Sequence, residues 1–227
     1  MSERSRAQRW TYDATRVLAR LVGVVLFRIR CQGREHFPRS GGALICANHQ
    51  SFFDPVLVGL SCDRHVNYLA RESLFHFCPF GWLIRWYDAI PIQREGMGIG
   101  GLKESLRRLK RGEMVLIFPE GTRTPNGQVQ ELQPGFCALA RRAKVPLVPV
   151  GIDGAFDAWP RGQPLPGLSV IRLQIGQPLE FEESEELQDR QLIDELRQRM
   201  VACHAAARQS RIPLNRVEHD GERCLDL

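Results

Sequence analysis

The sequence predicts an α/β fold: a mixed, largely parallel sheet flanked by helices, preceded by an N-terminal amphipathic helical segment suited to a membrane surface. Three observations predict it. From about Ala43 onward, short apolar runs alternate with longer amphipathic ones, the pattern of strands and crossover helices. Polar, Pro- or Gly-containing segments follow several of those runs directly, at the strand ends where open α/β sheets place their ligands. Basic charge is concentrated in the first 40 residues, which hold nine Arg against Glu3, Asp13 and Glu35.

That first segment carries +6 of a total of +5, so the other 187 residues sum to −1. Such an imbalance calls for an anionic partner, nucleic acid or anionic lipid. Lipid is favoured by what lies between the arginines. Trp10, Ala14, Val17, Leu18, Leu21, Val24 and Val25 recur at helical spacing, while Arg9, Arg16 and Arg20 share a separate face. A helix of that kind lies in an interface plane; it is also what an ordinary helix packed on a domain looks like. The uncharged run from Leu21 to Phe27 is seven residues, against the roughly 20 needed to cross a bilayer. The same run is short and lacks a small-residue cleavage site, so no secretory signal is expected and the cytoplasmic face of a membrane is the expected location.

With 227 residues, 43% of them hydrophobic, the chain supports one buried core. Residues 1–34 form the basic amphipathic region, 35–210 one domain and 211–227 a loosely ordered tail. Strands are predicted over Ala43–Ala47, Val66–Ala70, Asp88–Ile92, Met114–Phe118, Leu147–Ile152 and Val170–Ile175. Helices are predicted over Gly100–Lys110, over Gly135–Lys144 after the Pro134-Gly135 start signal, and over one long charged segment, Glu183–Arg208. The prolines of Val145–Ile152 argue for an edge or bulged strand, whose apolar surface lines a groove or belongs to the core. Seven cysteines without any C-x-x-C pair read as reduced thiols rather than a disulfide frame or a zinc site.

Three loops carry chemistry. Asn48-His49 leaves the first predicted strand, and Asp54 follows His49 by five residues. Imidazole is the natural base near neutral pH, and a carboxylate at that spacing reaches its other ring nitrogen if the chain turns between them. Asn48 braces that turn, and Asp54-Pro55 doubles as a helix start. Phe118-Pro119-Glu120-Gly121-Thr122-Arg123 leaves another strand; backbone amides beside a guanidinium form a phosphate clamp, and a surface turn with a solvated salt bridge is the competing reading. Glu120 is unexpected beside a phosphate, so it holds the arginine or a substrate hydroxyl. The third loop, Ile90-Pro91-Ile92-Gln93-Arg94, ends in a second arginine placed to face a phosphate. No nucleotide-binding glycine pattern, no G-x-S-x-G elbow and no metal-ligand cluster is present in the sequence.

Taken in order, Asn48-His49-x4-Asp54, Ile90–Arg94, Phe118–Arg123 and Val145–Val150 resemble the four sequence blocks of the glycerolipid acyltransferase family, over about residues 35–180. The resemblance implies an O-acyltransferase in phospholipid synthesis that moves a fatty acyl group from acyl-CoA or acyl carrier protein to the sn-2 hydroxyl of lysophosphatidic acid, giving phosphatidic acid. It implies that His49 and Asp54 are catalytic. It assigns Asn48, Arg94, Glu120, Gly121, Thr122 and Arg123 to the substrate, with no metal, no cofactor and no nucleic acid partner. Another lyso-lipid or glycerol 3-phosphate as acceptor, thioester hydrolysis, and an inert protein bound to an anionic membrane surface are the competing readings.

Overall fold

The computed structural model describes residues 23–71, 90–92 and 98–211, together with Val17 and Leu21. Seven strands are found there: β1 (Arg30–Gln32), β2 (Ala43–Ala47), β3 (Val66–Arg71), β4 (Ile90–Ile92), β5 (Met114–Ile117), β6 (Leu147–Asp153) and β7 (Arg172–Ile175). They form one sheet in the order β1-β7-β6-β2-β5-β3-β4. The five strands from β6 to β4 are mutually parallel, whereas β7 runs antiparallel to β6 and carries β1 parallel to itself at the edge. The sheet is therefore mixed and largely parallel, as the alternation of apolar runs predicts.

The helices are α1 (Asp54–Ser61), α2 (Gly98–Lys110), α3 (Gly135–Ala143), α4 (Ala155–Ala158), α5 (Phe181–Glu186) and α6 (Asp189–Arg211). Every residue of β2, β5 and β6 is buried, which is why those runs read as continuous apolar stretches rather than alternating ones. Side-chain alternation divides them between two layers. Leu44, Cys46, Val115, Ile117 and Leu147 pack with Leu109, Phe136, Leu139, Leu192, Leu196 and Met200 of α2, α3 and α6. Ala43, Ile45, Met114, Leu116, Val148, Val150 and Ile152 pack with Leu57 and Val58 of α1, and Phe27 and Ile29 lie against that cluster.

Two expectations are corrected. The strand that carries Pro149 is interior, lying between β2 and β7, with Pro146 just before it, and its apolar surface is core. Pro149 fits there because its carbonyl faces β7 and accepts from Gly176 N–H at 2.9 Å, one position beyond the last β7 residue. The amide proton it lacks would face the same side, so no ladder bond to β2 is lost. The long charged helix is two, α5 and α6, separated by an extended Leu187 (φ −83°, ψ 140°).

Helix α6 lies against β6 at Gly151, where a Cβ would stand 2.2 Å from the backbone of both Cys203 and His204. Glycine is needed at 151 for this close approach. At the N-terminal end, residues 23–27 are helical, and Val17, Leu21, Val24 and Val25 are 55–75% exposed. Trp10, Ala14, Leu18 and the three arginines of the predicted helix lie outside the described residues, as do residues 212–227. Among the described residues no helix is long and apolar enough to cross a membrane.

Candidate active site

The loop leaving β2 is fixed from several directions. Asn48 is fully buried, and its amide spans the Ile152 backbone: Nδ2 donates to the carbonyl at 2.9 Å and Oδ1 accepts from the N–H at 2.7 Å. These two bonds extend the β2–β6 pairing one residue beyond the Ala47–Val150 register. Asn48, expected among the substrate contacts, is thus placed as a brace with no exposed surface.

Behind that brace the chain turns so that Asp54, the first residue of α1, comes back to the loop. Its Oδ2 accepts from the His49 ring at Nδ1 (2.8 Å) and from the amides of Gln50 (2.6 Å) and Ser51 (2.7 Å). The side chain of Asp54 is fully buried and that of His49 is 20% exposed. Burial pushes the Asp54 carboxyl above the ordinary aspartate value, against the opposing pull of the imidazole and the two amides. With Nδ1 committed to the carboxylate, the lone pair available for a proton is on Nε2. The imidazole also stacks on Phe118, centroids 4.0 Å apart and planes 17° apart, which fixes the ring plane.

The loop leaving β5 lies beside the first because β5 is the neighbour of β2 in the sheet. Gly121 has a left-handed backbone, φ 72°, and its N–H closes a turn on the Phe118 carbonyl at 3.0 Å; that conformation requires glycine. Glu120 is 3% exposed, and its Oε1 accepts from the His49 backbone N–H at 3.1 Å. In the other direction Thr124 N–H donates to the His49 carbonyl at 2.7 Å. The two loops therefore grip His49 through its own peptide groups. Gly121 and Thr122 are exposed. Arg123 is half-buried, its guanidinium carbon 3.6 Å from the centroid of the Phe52 ring, a cation–π contact that ties the β5 loop to the β2 loop.

His49, Asp54, Glu120 and Arg123 are thus brought to one edge of the sheet. Arg94 lies outside the described residues. Glu120 holds the His49 amide, a role other than either one read for it from sequence. Phe118 as a stacking partner, Phe52 under the guanidinium, and the amides of Gln50 and Ser51 are not legible in the motif spacing. The signal for them is the turn between His49 and Asp54, whose intervening amides have few other carboxylates to meet.

Burial pushes Glu120 up to about 8, against the His49 amide and with the Asp54 charge adding in the same upward direction. A glutamate held above its ordinary value binds its proton more tightly when folded. The stability this contributes is complete below about 4.5 and is lost as pH rises through about 8. Glu120→Gln keeps an acceptor for the His49 amide but cannot ionise. Its melting temperature is expected to match that of the unsubstituted protein near pH 4.5 and to exceed it by about a few degrees at pH 8.5. Parallel melting curves across that range would rule the shift out.

A family model described as Acyltransferase matches residues 28–153 of this chain. The chain belongs to the acyltransferase family. Its relatives include the 1-acyl-sn-glycerol-3-phosphate acyltransferase of Bacillus subtilis, 30% identical over 66% of this chain and 73% of its own length. That of Pseudomonas aeruginosa is 31% identical over 73% of this chain and 63% of its own length. The chloroplastic 1-acyl-sn-glycerol-3-phosphate acyltransferase LPAT1 of Arabidopsis thaliana is 29% identical over 60% of this chain, which spans only 39% of that longer protein. In fold, this acyltransferase is similar to the crystal structure of the 1-acyl-sn-glycerophosphate acyltransferase of Thermotoga maritima. The TM-score is 0.77 at 22% identity, covering 94% of this chain and 85% of the other.

Proposed function

We propose that this acyltransferase moves a fatty acyl group from a thioester, acyl-CoA or acyl carrier protein, to the sn-2 hydroxyl of 1-acylglycerol-3-phosphate, giving phosphatidic acid. The observation that carries the reading is the His49–Asp54 pair, 2.8 Å apart, at the carboxyl edge of the sheet and on a loop joined to Arg123 through Phe52. His49 Nε2 takes the proton of the acceptor hydroxyl as its oxygen attacks the thioester carbonyl. Collapse of the tetrahedral adduct breaks the carbon–sulfur bond, and the imidazolium returns its proton to the departing sulfur. Asp54 holds the proton of Nδ1 and stabilises the charged ring. The thiolate departs without Lewis-acid help, so the proposed reaction uses no cofactor beyond its co-substrate.

Arg123 meets the acceptor phosphate, with the exposed Gly121 and Thr122 beside it, and Arg94 is the second phosphate-binding residue of the proposal. Gly121 supplies the turn and Glu120 its grip on the base. Membrane association on the cytoplasmic face is supported by the exposed apolar side chains Val17, Leu21, Val24 and Val25 on a segment rich in arginine.

The test incubates purified protein with acyl-CoA or acyl carrier protein and vesicles holding lysophosphatidic acid, with mass detection of the products. Phosphatidic acid is expected; free fatty acid as the main product would replace transfer by hydrolysis. Arg123→Ala is expected to raise the KM for lysophosphatidic acid about tenfold or more, with a smaller fall in kcat. A phosphate-free monoacylglycerol acceptor should show no such rise, and an equal rise for both would remove Arg123 from the phosphate.

A further inference from the structure

One buried polar group has no part in the chemistry above. His204, on α6 and outside the residues that match the family model, is 5% exposed. Its Nε2 stands 3.3 Å from Gln50 Nε2 and 3.4 Å from Asp153 Oδ1. Gln50 is itself 1% exposed and is the residue immediately after His49. Its amide orientation is fixed by two other contacts. Nε2 donates to the Gly127 carbonyl at 2.7 Å, and Oε1 accepts from Phe156 N–H at 3.1 Å. The second proton of that nitrogen is the one facing His204, whose Nε2 accepts it in the tautomer that carries the ring proton on Nδ1; a proton on Nε2 would go to Asp153 Oδ1 instead. Gln50 also donates its own backbone N–H to Asp54 Oδ2 at 2.6 Å, the oxygen that holds the catalytic ring.

We infer that His204 is a positioning residue for the base, acting through Gln50 on the carboxylate of Asp54. The inference rests on the acyl-transfer reading. Its physical basis is continuity: a rigid helix seated on β6 at Gly151 supplies an acceptor to the side chain of the residue whose main chain orients Asp54. A buried amide proton without that acceptor moves to find another. Such a movement carries the Gln50 backbone with it. Misplacing a base by about 1 Å costs on the order of a hundredfold in rate, so a smaller shift suffices to be read.

The test uses full-length protein and compares His204→Gln, whose side chain reaches the position of Nε2, with His204→Asn, which stays polar but is too short. Rates and melting curves are taken together, at a temperature below the melting onset of every variant. We expect His204→Asn to lower kcat about tenfold with both KM values within about twofold, and His204→Gln to stay within about threefold of the unsubstituted protein. Gln50→Ala, which leaves His204 and its contact with Asp153 in place, is expected to lower kcat by a similar factor. On that background His204→Asn should then change kcat by less than about twofold. Unsubstituted turnover in Gln50→Ala, equal losses for the Asn and Gln variants, or multiplicative losses in the double variant would overturn the proposal. Absence of transfer by the unsubstituted protein would overturn the acyl-transfer reading instead.

Discussion

His49→Ala is expected to lower acyl transfer to lysophosphatidic acid by at least about a thousandfold, while the melting temperature and vesicle binding stay near those of the unsubstituted protein. A positioned general base contributes about 10²–10⁴ in rate, and no second base stands on the described part of the loop: Asp54 is fully buried and already accepts three hydrogen bonds on Oδ2. The fold should tolerate the change because the backbone groups of residue 49 carry the loop's fastening, the N–H to Glu120 and the carbonyl to Thr124. The stack on Phe118 and the ring's hydrogen bond to Asp54 are lost, and the Gln50 and Ser51 amides still meet that carboxylate. Initial rates with saturating donor and acceptor decide the matter, and turnover within tenfold of the unsubstituted enzyme would remove His49 from the chemistry.

Asp54→Asn is expected to lower kcat by roughly 10²–10³, short of the loss at His49. An asparagine has the same shape, so the two loop amides keep an acceptor. It has no charge to stabilise the imidazolium that forms when Nε2 takes the proton. The pH profile separates this effect from a folding defect. In the unsubstituted enzyme, the burial that raises the Asp54 carboxyl makes the rate fall as pH drops through that raised value, earlier than an exposed aspartate would. The Asn variant has no such group, so the acid limb due to Asp54 should disappear from its kcat. A variant retaining the full acid limb with only a twofold loss would deny Asp54 its role.

How much of this was legible beforehand depended on distance along the chain. The pairing of His49 with Asp54 spans five residues, so the spacing alone specifies that a turn brings them together. The strand cores were equally plain: Ala43–Ala47 has the same limits in the sequence and in the structure, because a strand buried on both faces is an unbroken apolar run. Contacts between distant segments were not readable. Glu120 meets the His49 amide across 71 residues and Asn48 meets Ile152 across 104, so spacing could mark these residues as polar groups at strand ends but not name their partners. Strand β1 was hidden because Arg-Cys-Gln has too few apolar residues to show a period and forms only against β7. The break between α5 and α6 was hidden for the opposite reason: Leu187 and Ile193 continue one apolar face across a residue that is not helical. Pro149 in an interior strand misled because the proline rule depends on which side the missing donor faces, and that side is set by the neighbour.

The clasp between Asn48 and the Ile152 backbone also has a bearing on biosynthesis. The half of the site that holds His49 leaves the ribosome early, yet the peptide that locks it is made 104 residues later, a wait of roughly 5 to 20 s at ordinary translation speeds. Until β5 and then β6 have been made, the five apolar residues of β2 lack the strands that cover them in the nascent chain. Maturation of this protein is therefore timed by its second half, and a translational pause placed before residue 152 would lengthen the interval in which chaperones must shield the first.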